Sequence, residues 1–174
     1  MSRSSLFWRS WRLCVLALVL LSACSGAPPI PEQPIAFDHA LHLGLDLDGR
    51  RLACTDCHAG AERREHAGLP AMRDCLRCHV RPQGDGTRGE PKVRALAAAG
   101  PVHWVQITRN PGHVYAPHLA HVGIAKLTCE ECHGDVRTWT RPPTEPVERL
   151  RRMDECISCH RSHDAPTTCG TCHR

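Results

Sequence analysis

Residues 156–174 read CISCHRSHDAPTTCGTCHR, and they contain the pattern Cys-x-x-Cys-His twice. Three further copies lie upstream, so that ten of the 12 Cys belong to one motif. The five copies are Cys54-Thr-Asp-Cys57-His58, Cys75-Leu-Arg-Cys78-His79, Cys129-Glu-Glu-Cys132-His133, Cys156-Ile-Ser-Cys159-His160 and Cys169-Gly-Thr-Cys172-His173. Because a His follows every Cys pair, the His belongs to the motif and to its chemistry.

The spacing of this motif is typical of covalent haem attachment. Two Cys separated by two residues can form thioethers with the two vinyl groups of one porphyrin, and the next residue then offers its imidazole to the iron. A zinc site, a redox dithiol or a disulfide framework would leave the repeated His unexplained. The sequence therefore predicts five covalently attached haem c groups. Their proximal iron ligands are His58, His79, His133, His160 and His173.

The composition agrees with a core built around cofactors. Only 7 of the 174 residues are aromatic, and three of those, Phe7, Trp8 and Trp11, lie in the first dozen positions. The remaining apolar side chains are too few for an ordinary core, whereas porphyrin faces would supply the missing apolar surface. We expect a small multihaem cytochrome c fold, mostly irregular with short α-helices and little strand. A β/α barrel or a dinucleotide-binding fold needs a longer chain.

Eight other His residues are candidates for the second axial position on each iron. Four of them form two His-x-x-His pairs, each shortly before a haem motif, and residues three apart on a helical turn share a face. Each pair can therefore serve two neighbouring haems, and the four residues are His39, His42, His118 and His121. For the fifth iron we favour His113, with His103, His163 and Met153 as the alternatives.

The first 34 residues are typical of an exported, lipid-anchored protein. Basic residues precede a short apolar run that ends in Leu21-Ser-Ala-Cys24, a sequence that resembles the bacterial lipobox. We expect a signal peptide over 1–23, lipid attachment at Cys24 and a Pro-rich tether over 24–34. Without the signal, 19 Lys and Arg face 18 Asp and Glu. This balance leaves no basic surface for nucleic acid, and removal of Cys14 leaves no Cys pair for a disulfide.

An internal repeat divides the rest of the chain. We predict a dihaem module over 35–80, a linker over 81–101 and a trihaem module over 102–174. Each module starts with a His-x-x-His pair followed by haem motifs, and the fifth motif is an addition at the end. Within these segments, 92–99 can form two helical turns, and Asp46-Leu-Asp48-Gly49 is predicted to be a turn rather than a calcium loop.

Two stretches resemble known families. FDHALH (37–42) and residues 156–174 resemble the class III multihaem cytochromes, the cytochrome c3 and c7 type. Residues 101–136, together with the order of motifs, look like the pentahaem or hexahaem cytochrome subunits of alternative complex III and menaquinone reductase complexes. The resemblance implies that the four paired His are distal haem ligands. It also implies that the partners are other redox proteins, including a membrane quinol-linked complex.

The expected function follows from the ligand count. Iron with two His ligands has no open position, so we expect low-potential electron transfer by a lipid-anchored, periplasm-facing carrier or subunit of a respiratory complex. No catalytic residue stands out outside the haem ligands. A multihaem reductase with one open iron site, acting on nitrite or hydroxylamine, is the alternative. A subunit whose haems only bridge its neighbours is a third possibility.

Overall fold

The computed structural model describes residues 32–83 and 90–174. The predicted signal peptide, the predicted lipid attachment site Cys24 and the predicted tether as far as residue 31 lie outside the described residues. The same holds for 84–89 of the predicted linker. Within the described part, no helix is long and apolar enough to cross a membrane.

Short helices dominate the described part of the chain. The α-helices are α1 (His39–Gly44), α2 (Cys54–Cys57), α3 (Met72–Cys75), α4 (Glu90–Ala99), α5 (Cys129–His133), α6 (Met153–Ser162) and α7 (Cys169–Cys172). A π-helix spans Leu119–Ile124, and 3₁₀ helices span Val136–Thr138 and Glu148–Arg151. The fold is therefore small and helical with little strand, as predicted. Helix α4 includes the predicted helical segment 92–99 and starts two residues earlier.

The strands of the described residues form one hairpin, in which β1 (Asp46–Leu47) pairs antiparallel with β2 (Arg50–Arg51). Asp48 and Gly49 form the turn with φ of 55° and 83°. Positive φ at both central residues is typical of the tight turn that matches strand twist. The Asp46 Oδ1 atom accepts a hydrogen bond from the Gly49 backbone N–H at 2.6 Å. As predicted, this segment contains a turn, and the Asp46 side chain closes it.

Acidic residues start the helices that carry the first three haem motifs. Asp56 accepts a hydrogen bond from the Ala53 backbone N–H at 2.7 Å, and Asp74 accepts one from Ala71 at 2.8 Å. Glu131 accepts one from Thr128 at 2.5 Å. Each carboxylate satisfies a backbone N–H that the short helix leaves without a partner, and it also lies near the positive end of the helix dipole. The residues between and before the Cys therefore fix where each motif helix begins.

The side-chain core of the described residues is very small. Its buried hydrophobic residues are Ile35, Ala61, Met72 and Val93. Three of them form one cluster, which Val93 joins from α4 and Met72 from α3. Trp104 packs on this cluster, and its Nε1–H donates to the Pro70 carbonyl at 2.9 Å. So few buried side chains agree with the composition, which predicts that side chains alone do not fill the interior.

A loop from the first half of the chain packs on the π-helix of the second half. The Leu119 backbone N–H donates to the Arg64 carbonyl at 2.8 Å, and the His118 N–H donates to the Glu65 carbonyl at 2.9 Å. Gly123 allows this approach, because a Cβ there would lie 2.2 Å from the Glu62 carbonyl oxygen. The loop therefore fixes the position of the second His-x-x-His pair.

Candidate haem-binding sites

The structure places the His of every Cys-x-x-Cys-His motif beside one of the predicted second ligands. Four such pairs are in ring contact: His42 with His79 at 6.1 Å between ring centres, His118 with His133 at 6.3 Å, His121 with His160 at 6.1 Å and His113 with His173 at 5.5 Å. The remaining pair, His39 and His58, interacts electrostatically. Ten His selected from the sequence are thus brought together two by two.

The separation of the rings agrees with one metal ion between each pair. An imidazole nitrogen binds a metal at about 2.0 Å and its ring centre lies about 1 Å further away, so two imidazoles on opposite sides of one metal have ring centres about 6 Å apart. Three pairs lie within a few tenths of an ångström of that separation, and His113 with His173 is slightly closer. The residues therefore fit an iron with two axial imidazoles.

Backbone carbonyls lie at the Nδ1 atoms of five of the ten paired rings, so that Nε2 of these rings is left for a metal. The Nδ1 atoms of several ligand rings lie within hydrogen-bond distance of backbone carbonyls. The pairs are His42 with Asp38 at 2.7 Å, His58 with Gly68 at 2.7 Å, His118 with Glu65 at 3.2 Å, His121 with Pro117 at 2.9 Å and His160 with Pro166 at 2.7 Å. A ring that donates its Nδ1–H carries its lone pair on Nε2, which is then available to a metal.

Helix α1 positions the first His pair. The Asp38 carboxylate caps the helix by accepting from the Leu41 N–H at 2.7 Å. Phe37 stacks on the His42 ring at 4.4 Å, and the edge of Trp139 meets His39 at 5.9 Å. Burial, together with the nearby His58 and His42, lowers the pKa of His39 to about 4. His39 is therefore neutral near pH 7, as a metal ligand must be.

The second His pair lies on a π-helix, whereas the sequence predicted an ordinary helical turn. His118 is the residue before Leu119–Ile124, and His121 lies within that helix. The rings contact the His of different motifs, the third and the fourth. Burial and the neighbouring His118 and His58 lower the pKa of His133, so this ring too is kept neutral. One short helix therefore places its two His rings against the His of two different motifs.

Sequence reasoning missed the loop that holds His118. Residues 62–65 supply backbone carbonyls to this helix, and backbone groups leave no mark on the sequence. The available signal was a pair of glycines. A Cβ at Gly60 would lie 2.4 Å from the His66 carbonyl oxygen, and a Cβ at Gly123 would lie 2.2 Å from the Glu62 carbonyl oxygen. Both positions require the absence of a side chain.

The end of the chain folds back onto the segment that contains His113. The Tyr115 N–H donates to the Cys172 carbonyl at 2.7 Å, and the Arg174 N–H donates to the His113 carbonyl at 3.1 Å. The Arg174 guanidinium also lies 3.9 Å from the centre of the Tyr115 ring, a cation–π contact. These backbone bonds hold the His113 and His173 rings against each other. His113 is the candidate whose ring lies against His173, although its side chain is exposed like those of the alternatives His103, His163 and Met153.

Several of the motif thiols are partly buried. The ten described Cys form no disulfide among themselves. Burial raises the pKa of Cys57, Cys75 and Cys156, and burial together with a hydrogen bond to Cys54 raises that of Cys129 to about 11. Reactive dithiols need a lowered pKa. In residues 32–83 and 90–174, no group of three or more His, Cys, Asp or Glu side chains is arranged to hold a metal ion.

Contacts between motifs define their spatial order. Helix α1 serves the first and second motifs, and Cys57 interacts with Cys75. Cys54 contacts Cys129, which places the first motif beside the third. The π-helix joins the third to the fourth. Finally, Cys156 interacts with Cys172, so the fourth motif adjoins the fifth. The motifs thus follow one another as second, first, third, fourth and fifth.

Repeated haem motifs, paired imidazoles and a very small side-chain core define a multihaem c-type cytochrome. Comparison with known proteins agrees. Residues 114–174 match the family described as cytochrome c7 and related cytochrome c. The chain is also 36% identical over 69 residues to a cytochrome c3 of Desulfuromonas acetoxidans, a match that covers 40% of this chain and 93% of that protein. The chain therefore belongs to the cytochrome c3/c7 family of multihaem electron-transfer proteins.

Proposed function

We propose that the protein binds five haem c groups, each with two axial His ligands, and transfers electrons at the periplasmic side of a bacterial membrane. The observation that supports this best is the pairing of all five motif His with five other His. Family membership supports covalent haem.

The residues of the chain would hold and tune the cofactors. When bound, haem supplies a one-electron Fe(III)/Fe(II) couple. The Cys residues anchor the porphyrins, and backbone carbonyls orient imidazoles such as His58 and His160 through Nδ1. Hydrogen bonding at Nδ1 raises the basicity of the ligand, which favours a low reduction potential. With both axial positions held by His, no iron position stays open to a substrate, so we propose a carrier and not an enzyme.

The order of the motifs suggests where partners bind. The second and fifth motifs are the two ends of the series, so we propose that electrons enter and leave there. Both ends are accessible, since Cys78, Cys169 and His173 are exposed. The partners would be other redox proteins, among them a membrane quinol-linked complex of the alternative complex III or menaquinone reductase type. A fixed subunit would stay bound to its redox partner, whereas a free carrier would bind and dissociate in each cycle.

The membrane attachment is a separate proposal that stands on Leu21-Ser-Ala-Cys24. We propose that the mature chain starts at Cys24 with a lipid and that residues 24–34 tether the cytochrome to the periplasmic face of a membrane, the outer membrane being compatible with Ser25. A Cys24→Ser variant should move from the membrane fraction to the soluble periplasmic fraction while keeping its haem absorbance. A variant that stays in the membrane fraction would contradict the anchor.

The haem count and ligation can be tested on the purified oxidised protein. Intact mass should exceed that of the polypeptide by five haems, and EPR should show five low-spin ferric irons. Carbon monoxide added to the reduced protein should leave its spectrum unchanged. One high-spin iron per molecule that binds carbon monoxide would contradict full His ligation. That result would favour the multihaem reductase, and the exposed His113–His173 pair is where such a site would be expected.

A further inference from the structure

The second motif differs from the first and fourth in what lies behind its proximal His. His58 and His160 each have a backbone carbonyl at Nδ1, at 2.7 Å. His79 instead has the carboxylate of Glu90, with 3.5 Å between Nδ1 and Oε1. The two side chains are only 18% and 9% exposed. A buried carboxylate facing a ligand ring is a charged partner, whereas a carbonyl is a neutral one.

Both groups also have unused hydrogen-bonding capacity. Among residues 32–83 and 90–174, neither the buried His79 Nδ1 atom nor the buried Glu90 Oε2 atom has a hydrogen-bond partner. A buried polar atom left without a partner is destabilising. A small rotation of the Glu90 side chain would bring one carboxylate oxygen within hydrogen-bond distance of Nδ1 and would satisfy both atoms. Glu90 is therefore well placed to accept a hydrogen bond from His79 Nδ1.

Helix α4 presents Glu90 with a second charged neighbour. Glu90 is its first residue, and Arg94, one turn later, forms an ion pair with the same Oε1 atom. The cationic guanidinium of Arg94 favours the ionised form of the Glu90 carboxylate and partly balances its charge. Arg94 is the more exposed partner, so the balance is incomplete.

We propose that Glu90 is a positioning residue for the haem of the second motif, where it accepts the His79 Nδ1–H and lowers the reduction potential of that haem alone. This inference rests on the proposed function, because it requires a haem ligated by His79 and His42. A carboxylate behind a ligand His raises the basicity of the ring and stabilises the ferric state. Since the second motif is one end of the series, the carboxylate would set the potential at an electron entry or exit point.

The test is a redox titration of the holoprotein followed by EPR and visible absorbance. Glu90→Gln keeps the shape and removes the charge. We expect the midpoint potential of one of the five haems to rise by about 59 mV. This shift corresponds to a tenfold change of its one-electron Fe(III)/Fe(II) equilibrium toward Fe(II). Arg94→Gln removes the balancing charge and should shift the same midpoint in the opposite direction. Asp48→Asn is the control, since it removes an acid from an exposed turn where Asn tolerates the positive φ.

The outcomes separate this proposal from the proposed function. A His42→Ala variant identifies the haem of the second motif, because its low-spin signal is the one lost. Opposite shifts of that same midpoint in Glu90→Gln and Arg94→Gln support the proposal. It is overturned if no midpoint moves more than in Asp48→Asn, if all five move together, or if both variants shift it in the same direction. Fewer than five low-spin irons in the unmodified protein would instead contradict the proposed ligation.

Discussion

Replacing Gly123 by Ala should disturb both ligands of the second His pair. Gly123 lies in the π-helix Leu119–Ile124, two residues after His121. An added Cβ would lie 2.2 Å from the Glu62 carbonyl oxygen and 3.0 Å from Leu119 Cδ1. A side chain such as Leu119 can rotate away, but a backbone carbonyl cannot. The helix and the loop over 62–65 must therefore separate by roughly 1 Å to restore an ordinary contact.

The cost can be assembled from its parts. Inserting a methyl group into a packed contact costs about 1–3 kcal/mol. Separating the loop also weakens the hydrogen bonds from Leu119 N–H to Arg64 and from His118 N–H to Glu65, now 2.8 and 2.9 Å long. Each contributes about 1 kcal/mol. Because Ala has a higher helix propensity than Gly, the substitution itself offsets about 1 kcal/mol of this destabilisation. The free energy of unfolding should therefore fall by about 2–4 kcal/mol.

The assay is guanidinium unfolding of the oxidised holoprotein, followed by circular dichroism and by EPR of the low-spin irons. Gly44→Ala is the matched control, because Gly44 ends helix α1 near the other His pair and a Cβ there meets nothing within 4 Å. We expect the control to leave stability unchanged or to raise it slightly. If Gly123→Ala and Gly44→Ala unfold at the same midpoint, the loop does not hold the π-helix, and our account of the second pair is wrong.

Four further predictions test other parts of the structure. His113→Ala should convert one low-spin iron to high spin and allow carbon monoxide to bind, whereas His103→Ala should change neither; a spectrum unaffected by the loss of His113 would refute its assignment as the fifth ligand. Met72→Ala should lower the free energy of unfolding by about 2–5 kcal/mol, because Met72 is one of the few buried side chains; a cost near zero would show that the cluster does not matter. Asp56→Ala should cost about 1 kcal/mol by uncapping α2, with the exposed Asp48→Asn as the comparison in the same denaturation experiment. Finally, the chain made without haem should lack a cooperative unfolding transition by circular dichroism, and a sharp transition would contradict a haem-built core.

The Cys-x-x-Cys-His motifs and the two His-x-x-His pairs could be recognised in the sequence because both depend on local spacing. Cys-x-x-Cys-His needs no tertiary information, and His-x-x-His places two rings on one helical turn wherever the helix lies. His113 was harder to assign, since its pairing with His173 depends on the chain end folding back to Tyr115. The sequence could favour His113 over His103 and His163 only weakly. Contact of the rings at 5.5 Å now supports that choice.

Other features could not be predicted because they are made by backbone atoms or by distant residues. The loop over 62–65 supports His118 through carbonyl groups that every residue possesses. Glu90 faces His79 only because of where helix α4 packs. That packing is determined by the contact of Val93 with Met72 in the small core. The order of the motifs required contacts such as the one between Cys54 and Cys129. Sequence spacing predicts which His are candidate ligands, whereas tertiary contacts determine which residues lie next to them.

The proposed iron bonds would also explain how so small a core can hold this chain together. Each pair of axial His joins segments that are far apart in sequence, the longest span being the one between His113 and His173. Closing such loops reduces the entropy of the unfolded chain, and the gain grows slowly with loop length. Metal binding free energy then becomes folding free energy. Iron ligation and folding are consequently coupled. Loss of a distal His should therefore destabilise the segment that carries it and should also leave a coordination position of the iron vacant.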